Sequence, residues 1–468
     1  MRVRIGTALG PYWGGIFYAI DIIAAIAALG AIGGLPVLLN ALSRYTRAAT
    51  KWLRGLGPRS TALRYPMVIL LGAGLFALPG CTRVAIRSSA SAEGDAPNAV
   101  RTLGADQRFS TVTLQSVARR VREQRAGQPV NILALSGGGA DGAFGAGALV
   151  GLTRTKSRPQ FSVVTGVSTG ALIAPFAFLG PDWDNQLVEV YTSGRAEHLL
   201  QSRGLGSLFG SSVYSGAPLK ELVDRYATDA LIQAVAHEAS MGRLLLVATT
   251  DVSTAEPVIW DLGSIAMNGG AGARELFRDV LVASASVPGL FPPVVIRVQD
   301  QQALTEEVHV DGTIALPFFV PLAFVEPARN ASGPSNDAAV YVIVDGRLSE
   351  QPAAIRLRTR SILSRSVSAG LNHMLRTTLE LTATDTELKG AQFQFAAIPV
   401  AYPRLDSFDF RTPSMRSLFQ YGYQCAQAGR LWISRSAGAD NGNRNDPGAG
   451  QPIQCPVDDA FIGRLAER

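Results

Sequence analysis

Two glycine-rich junctions constrain this chain more than any other feature of its sequence. Val130 to Leu135 reads as a buried strand and Ala143 to Thr153 as a helix of small and apolar residues. Phe161 to Thr165 follows as a second strand, and Ala171 to Leu179 begins a second helix. Strand, helix, strand, helix within about 50 residues is the pattern of a parallel sheet joined by crossover helices. The first junction is Ser136-Gly137-Gly138-Gly139-Ala140-Asp141-Gly142 and the second is Gly166-Val167-Ser168-Thr169-Gly170. The expected fold class is therefore α/β, with a mainly parallel central sheet flanked by helices.

Consecutive glycines at a helix N-terminus let backbone N–H groups converge on one concave point, which suits a phosphate or an oxyanion. The spacing of Gly137, Gly139 and Gly142 formally matches a dinucleotide fingerprint, which requires an acid about 20 residues further on. No Asp or Glu stands between Asp141 and Asp182, and no Gly-Lys-Ser/Thr closes the loop, so a nucleotide is not expected. The second junction places Ser168 on a tight turn that needs small neighbours and presents the hydroxyl at a helix start. In adjacent parallel strands the two junctions meet at the carboxyl edge of the sheet, the usual place for a site.

A serine nucleophile needs a base. Of the four histidines, only His373 follows late enough for the usual Ser, Asp, His order, and it sits in a helical, arginine-rich stretch that reads as solvent-facing. Carboxylates remain: Asp311 in Val310-Asp311-Gly312-Thr313, after the proline-rich approach Ser284 to Pro293, and Asp345 in Val344-Asp345-Gly346. His309 precedes Asp311 by two residues and would share its face, with a structural role the better reading.

The triple-glycine loop, the Gly-x-Ser-x-Gly elbow and the later Asp-Gly together resemble the patatin-like phospholipase family, from about Val130 to about Gly429. The resemblance implies a three-layer fold and a Ser-Asp dyad acting on lipid or phospholipid esters through an acyl-enzyme. It implies Ser168 as nucleophile, Asp311 as base, and the amides of Gly137, Gly138 and Gly139 as the oxyanion hole. No metal or organic cofactor is implied. Two positions depart from the family: Asp141, where Arg or Lys is common, and Thr313, where Gly or Ala is common. The first is expected to alter headgroup preference. A rival of a different class is a membrane-tethered binding or scaffolding protein on the same fold.

The net charge of +6 is no sign of a nucleic-acid partner, because residues 1–80 carry eight basic side chains against Asp21 alone. That leader holds an apolar stretch from Ile22 to Leu39, long enough to span a bilayer, and a shorter one from Val68 to Ala77. The second ends in Leu78-Pro79-Gly80-Cys81, which resembles a bacterial lipobox with Cys81 as the lipidated residue. Either the first stretch spans a membrane, or translation begins closer to the lipobox. Both readings put the protein at a membrane surface in the bacterial cell envelope. Cys425 and Cys455 then remain as a pair that an oxidising compartment permits to bond, or as two free thiols.

The expected organisation is a leader over 1–81, a linker with a short basic helix over 82–126, a hydrolase domain over 127–435, and a Gly-rich loop and C-terminal segment over 436–468. Within the domain, Leu244 to Thr249 and Val340 to Val344 read as central strands, Ile355 to Leu388 as a long helix and Phe393 to Val400 as strand. Gly204 to Gly216, with Leu205, Leu208, Phe209, Val213 and Tyr214 among small residues, reads as an apolar cover over an acyl chain or as a plain surface loop.

Overall fold

The structure, a computed structural model, describes residues 99–103, 109–124, 129–201, 211–299, 304–325, 338–349, 357, 359–400, 402–403, 406–434 and 455. Cys81, both apolar leader stretches, the loop over 435–454 and most of the proposed acyl cover lie outside them.

The chain runs β1 (Ala99–Leu103), β2 (Phe109–Thr113), α1 (Leu114–Gln124), β3 (Val130–Leu135), α2 (Gly142–Arg154), β4 (Val163–Val167) and α3 (Thr169–Leu179). Five helices follow, three before and two after an antiparallel strand pair: α4 (Asp184–Thr192), α5 (Ala217–Tyr226), α6 (Asp229–Ser240), β5 (Leu244–Asp251), β6 (Glu256–Asp261), α7 (Leu262–Asn268) and α8 (Gly270–Ser284). The remainder is β7 (Val294–Gln299), β8 (Leu304–Asp311), β9 (Ala338–Val344), α9 (Thr359–Leu388), β10 (Gln392–Ala397) and α10 (Thr412–Gln427).

The strands form a ten-stranded sheet in the order β10-β9-β3-β4-β5-β6-β1-β2, with β8 pairing both β5 and β7 off this path. From β10 to β5 every neighbour is parallel, as the strand–helix alternation required. The central strands are apolar on both faces because helices cover both: β5 is buried along its whole length. One face packs on α2, α3, α8 and α10, the other on α1 and the C-terminal half of α9. The helix α1 presents Leu114, Val117, Ala118 and Val121 to the second face, at the spacing of one helical stripe.

The small residues of α2 are explained by α10. A Cβ on Gly147 would lie 1.9 Å from the Phe419 carbonyl oxygen, and one on Gly151 would lie 2.5 Å from that of Tyr423, so the two helices touch backbone to backbone. Cys425 on α10 is disulfide-bonded to Cys455, with Cα atoms 5.3 Å apart.

Two expectations need correction. Residues 99–124 are not linker with a lone helix: β1 and β2 form an antiparallel hairpin, and β1 extends the sheet beside β6. Val100 is fully buried there, held by β6, α7 and α1 rather than by any strong apolar run of its own. Cys455 likewise belongs to the buried core, although it falls in the stretch expected to stand apart. The sheet is mainly parallel, as expected, with an antiparallel part in which β5 pairs with β6 and β8, and β8 with β7. Among the described residues, no helix is long and apolar enough to cross a membrane.

Candidate active site

Strand register brings the two junctions and Asp311 to one level. Val167, the last residue of β4, pairs with Ala248, and the next residue of β5, Thr249, pairs with Asp311 at the end of β8. Ser168 follows Val167 directly. Its backbone has φ 55° and ψ −124°, a left-handed strain that only surrounding structure can hold in a serine. The turn is tight enough that a Cβ on Gly170 would lie 2.5 Å from the Leu135 carbonyl oxygen. The Ser168 N–H donates to Ser284 Oγ at 3.0 Å, and Ser284 in turn donates to the Ala248 carbonyl at 2.7 Å. Thr169 is fixed by the Tyr191 hydroxyl, 2.9 Å away.

The Ser168 hydroxyl donates to Asp311 Oδ2 at 2.5 Å. Asp311 Oδ1 accepts from the Thr313 N–H at 2.8 Å, so both carboxylate oxygens are engaged. Burial pushes the Asp311 carboxyl up from 3.8 to about 6, with the bonds from Ser168 and Thr313 partly opposing it. Asp311 is thus ionised near neutrality and weakly basic, as a proton acceptor must be.

The glycine loop lies against this pair, since a Cβ on Gly137 would come within 3.2 Å of Ser168 Cβ. The Gly137 N–H, however, donates to the Pro317 carbonyl at 3.1 Å, which corrects its expected part in an oxyanion hole. The N–H groups of Gly138 and Gly139 have no acceptor among the described residues. The loop is clamped from two sides. Ala140 N–H donates to Ser407 O at 2.8 Å, and Ser136 Oγ accepts from Asp345 N–H at 2.9 Å.

Asp345 does not reach the serine. Its Oδ1 accepts from the Gly145 N–H at 2.9 Å, its Oδ2 has no partner, and burial raises its carboxyl well above the usual range. Burial thus favours its protonated form under the glycine loop. Asp141, expected to influence headgroups, is 9% exposed and accepts from Ser407 Oγ at 2.9 Å, so it ties the loop down instead of facing a ligand. His373 is exposed. His309 is fully buried between Thr249 Oγ1 (3.0 Å) and Glu307 Oε2 (3.1 Å), and Glu307 also pairs with Arg101 of β1. Glu307 and His309 lie on the same strand as Asp311, and no sequence signal pointed to Arg101 or Glu307.

Two buried arginines hold the far end of α3. Arg158 donates to the carbonyls of Phe176 and Ala177 and pairs with Asp184 at 2.7 Å, while Arg243 donates to Phe178 O and Phe161 O. Sequence reasoning also missed Ser284 and Pro317, whose roles depend on contacts across 116 or more residues.

A small apolar recess of about 30 Å³ lies along the same helix, between Leu172, Pro175, Phe176, Leu222, Tyr226 and Leu281. Leu172, Pro175 and Phe176 fall four, seven and eight residues after Ser168, on one helical face. Described residues 211–216 pair with the approach to Asp311, through Val213 N–H to Gly289 O and Tyr214 N–H to Leu290 O, both 2.9 Å. Among the described residues no cluster of three or more His, Cys, Asp or Glu is placed to hold a metal.

Residues 133–324 match the family model described as patatin-like phospholipase. The matched stretch contains both glycine-rich junctions and Asp311, and it points to lipid acyl hydrolysis in general. No curated protein matches the chain. Among solved structures, the crystal structure of VipD from Legionella pneumophila aligns over 76% of this chain and 75% of that chain, at 11% identity and a TM-score of 0.28. A superposition that loose adds nothing to the reading of the site.

Proposed function

We propose that this protein is a serine acyl hydrolase that cleaves carboxylic esters of phospholipids or related lipids with a Ser168–Asp311 dyad. The carrying observation is the 2.5 Å hydrogen bond from Ser168 to a buried carboxylate, at a strained elbow beside the glycine loop. Asp311 takes the hydroxyl proton as Ser168 attacks the ester carbonyl; the alcohol leaves with that proton, and water, activated by the same carboxylate, then releases the fatty acid. The N–H groups of Gly138 and Gly139 stabilise the developing oxyanion, each of a kind worth about 3 kcal/mol in other hydrolases. The match of residues 133–324 to the patatin-like phospholipase model favours lipid over polar esters.

The test is fluorophosphonate labelling with lipid product analysis. Wild type is expected to label and to release fatty acid, and Ser168→Ala to do neither while remaining folded. Undiminished turnover in Ser168→Ala refutes the assignment.

A further inference from the structure

Ser284 is the last residue of α8, and its hydroxyl does not bond as serines near helix ends usually do. Such hydroxyls donate back to a carbonyl three or four residues earlier in their own helix. Ser286, two residues on, follows that rule and donates to the Val282 carbonyl at 2.8 Å. Ser284 instead reaches across 36 residues to the Ala248 carbonyl of β5, at 2.7 Å, and accepts from the Ser168 N–H at 3.0 Å. It is fully buried, so both bonds are made away from bulk water.

These two bonds stand one residue past the last pairing of β4 with β5, Val167 with Ala248. Beyond that pair the chain leaves the sheet and turns into α3, with Ser168 at a strained φ of 55°. The Ser284 hydroxyl fills the gap at the point of departure, and the first amide outside the sheet stays tied to the sheet's backbone. A residue with a side chain remains at such a φ only where its surroundings restrain it. The same amide sets the peptide plane from which the Ser168 side chain projects toward Asp311.

The anchor is shared with the base. A Cβ on Gly312, the residue after Asp311, would lie 2.4 Å from the same Ala248 carbonyl oxygen, so the chain that carries Asp311 packs directly on it. The Asp311 N–H donates to the Ser286 carbonyl at 2.9 Å. The end of α8 therefore holds the amide of the nucleophile through the Ser284 hydroxyl and the amide of the base through the Ser286 carbonyl.

We propose that Ser284 is a positioning residue for acyl transfer, whose hydroxyl holds the Ser168 turn in the orientation that brings Oγ onto Asp311. The inference rests on the serine-hydrolase reading and adds to it a residue that touches neither substrate nor the Asp311 carboxylate. Loss of the hydroxyl should slow the chemical step and loosen the bond from Ser168 to its base, while substrate binds as before.

The experiment compares wild type, Ser284→Ala and Thr165→Val in the full chain. Thr165 is the matched control: it is fully buried on β4, and its hydroxyl donates to the carbonyl of distant Phe319 at 2.6 Å. Both variants remove one buried hydroxyl and are expected to lower the urea midpoint to a similar extent. Only Ser284→Ala is expected to lower kcat on a soluble p-nitrophenyl ester, and the rate of fluorophosphonate labelling, by about tenfold to a hundredfold. Its KM should stay within about twofold of wild type. The midpoint of its pH profile should move up from about 6, because a hydroxyl turned away from Asp311 no longer opposes the effect of burial. If Ser284→Ala does not fold, Ser284→Cys decides, since a thiol fills the same space with a weaker donor and acceptor.

Wild-type kcat in whichever of these two variants folds overturns the proposal. So does an equal loss of kcat in Thr165→Val, which would tie turnover to stability alone, or a rise in KM with kcat unchanged. Failure of both Ser284 variants to fold makes Ser284 a folding residue and also overturns it. The hydrolase reading fails differently: Ser168→Ala then turns over the ester as wild type does, whatever stands at position 284.

Discussion

Replacing Asp311 with asparagine separates the chemical role of its carboxylate from its effect on stability. The carboxyl is fully enclosed, and burial raises it from 3.8 to about 6. At about 1.4 kcal/mol per tenfold in proton concentration, holding it ionised at pH 8 costs the folded protein about 3 kcal/mol. Below about pH 4 the group is protonated in folded and unfolded chains alike, so no such cost exists; it grows between about pH 4 and 6 and is constant above. Asparagine keeps both contacts, with Oδ1 accepting from the Thr313 N–H and the amide nitrogen donating to Ser168 Oγ. Asp311→Asn should therefore be inactive yet more stable than wild type at pH 8 by about 2 to 3 kcal/mol, with the difference gone by about pH 4. Urea unfolding at pH 4, 6 and 8, with ester turnover at the same pH values, measures both. In wild type, turnover should rise through about pH 6 as the base loses its proton. A variant less stable than wild type at pH 8, or a difference independent of pH, refutes the argument that burial opposes the ionised base. Full turnover in the variant removes Asp311 from the chemistry.

Three further outcomes follow from the same packing. Asp345→Asn should keep its bond from the Gly145 N–H, fold within about 1 kcal/mol of wild type and retain most turnover, because burial already opposes the charged form of the acid it replaces; loss of turnover with an intact fold would return the base to that position. Arg158→Ala leaves Asp184 buried without its partner and frees the end of α3, for a loss of about 3 to 5 kcal/mol in chemical unfolding. Arg101→Met removes the partner that, with His309, outweighs burial and holds Glu307 at about 2. Its destabilisation, about 2 kcal/mol or more at pH 7, should shrink as pH falls below the ordinary 4.5 of that carboxyl, since a depressed acid contributes only while ionised.

The sequence by itself determined the parallel half of the sheet and the place of the nucleophile. Both are local: alternating strand and helix periods force crossover connections, and glycines on either side of Ser168 allow one sharp turn. The choice of Asp311 over Asp345 was different, because each ends a strand and precedes a glycine. Only register separated them, by pairing Asp311 with Thr249 one step beyond the elbow while Asp345 turned to the Gly145 amide. The same holds for Gly137, whose amide is taken by Pro317, 180 residues away, and for the β1–β2 hairpin, whose Ser, Thr and Arg residues carry no strand signal until β6 and Glu307 receive them. Local periodicity is written in neighbouring residues, whereas the partner of a buried polar group is set by which distant backbone arrives beside it, and only tertiary structure decides that.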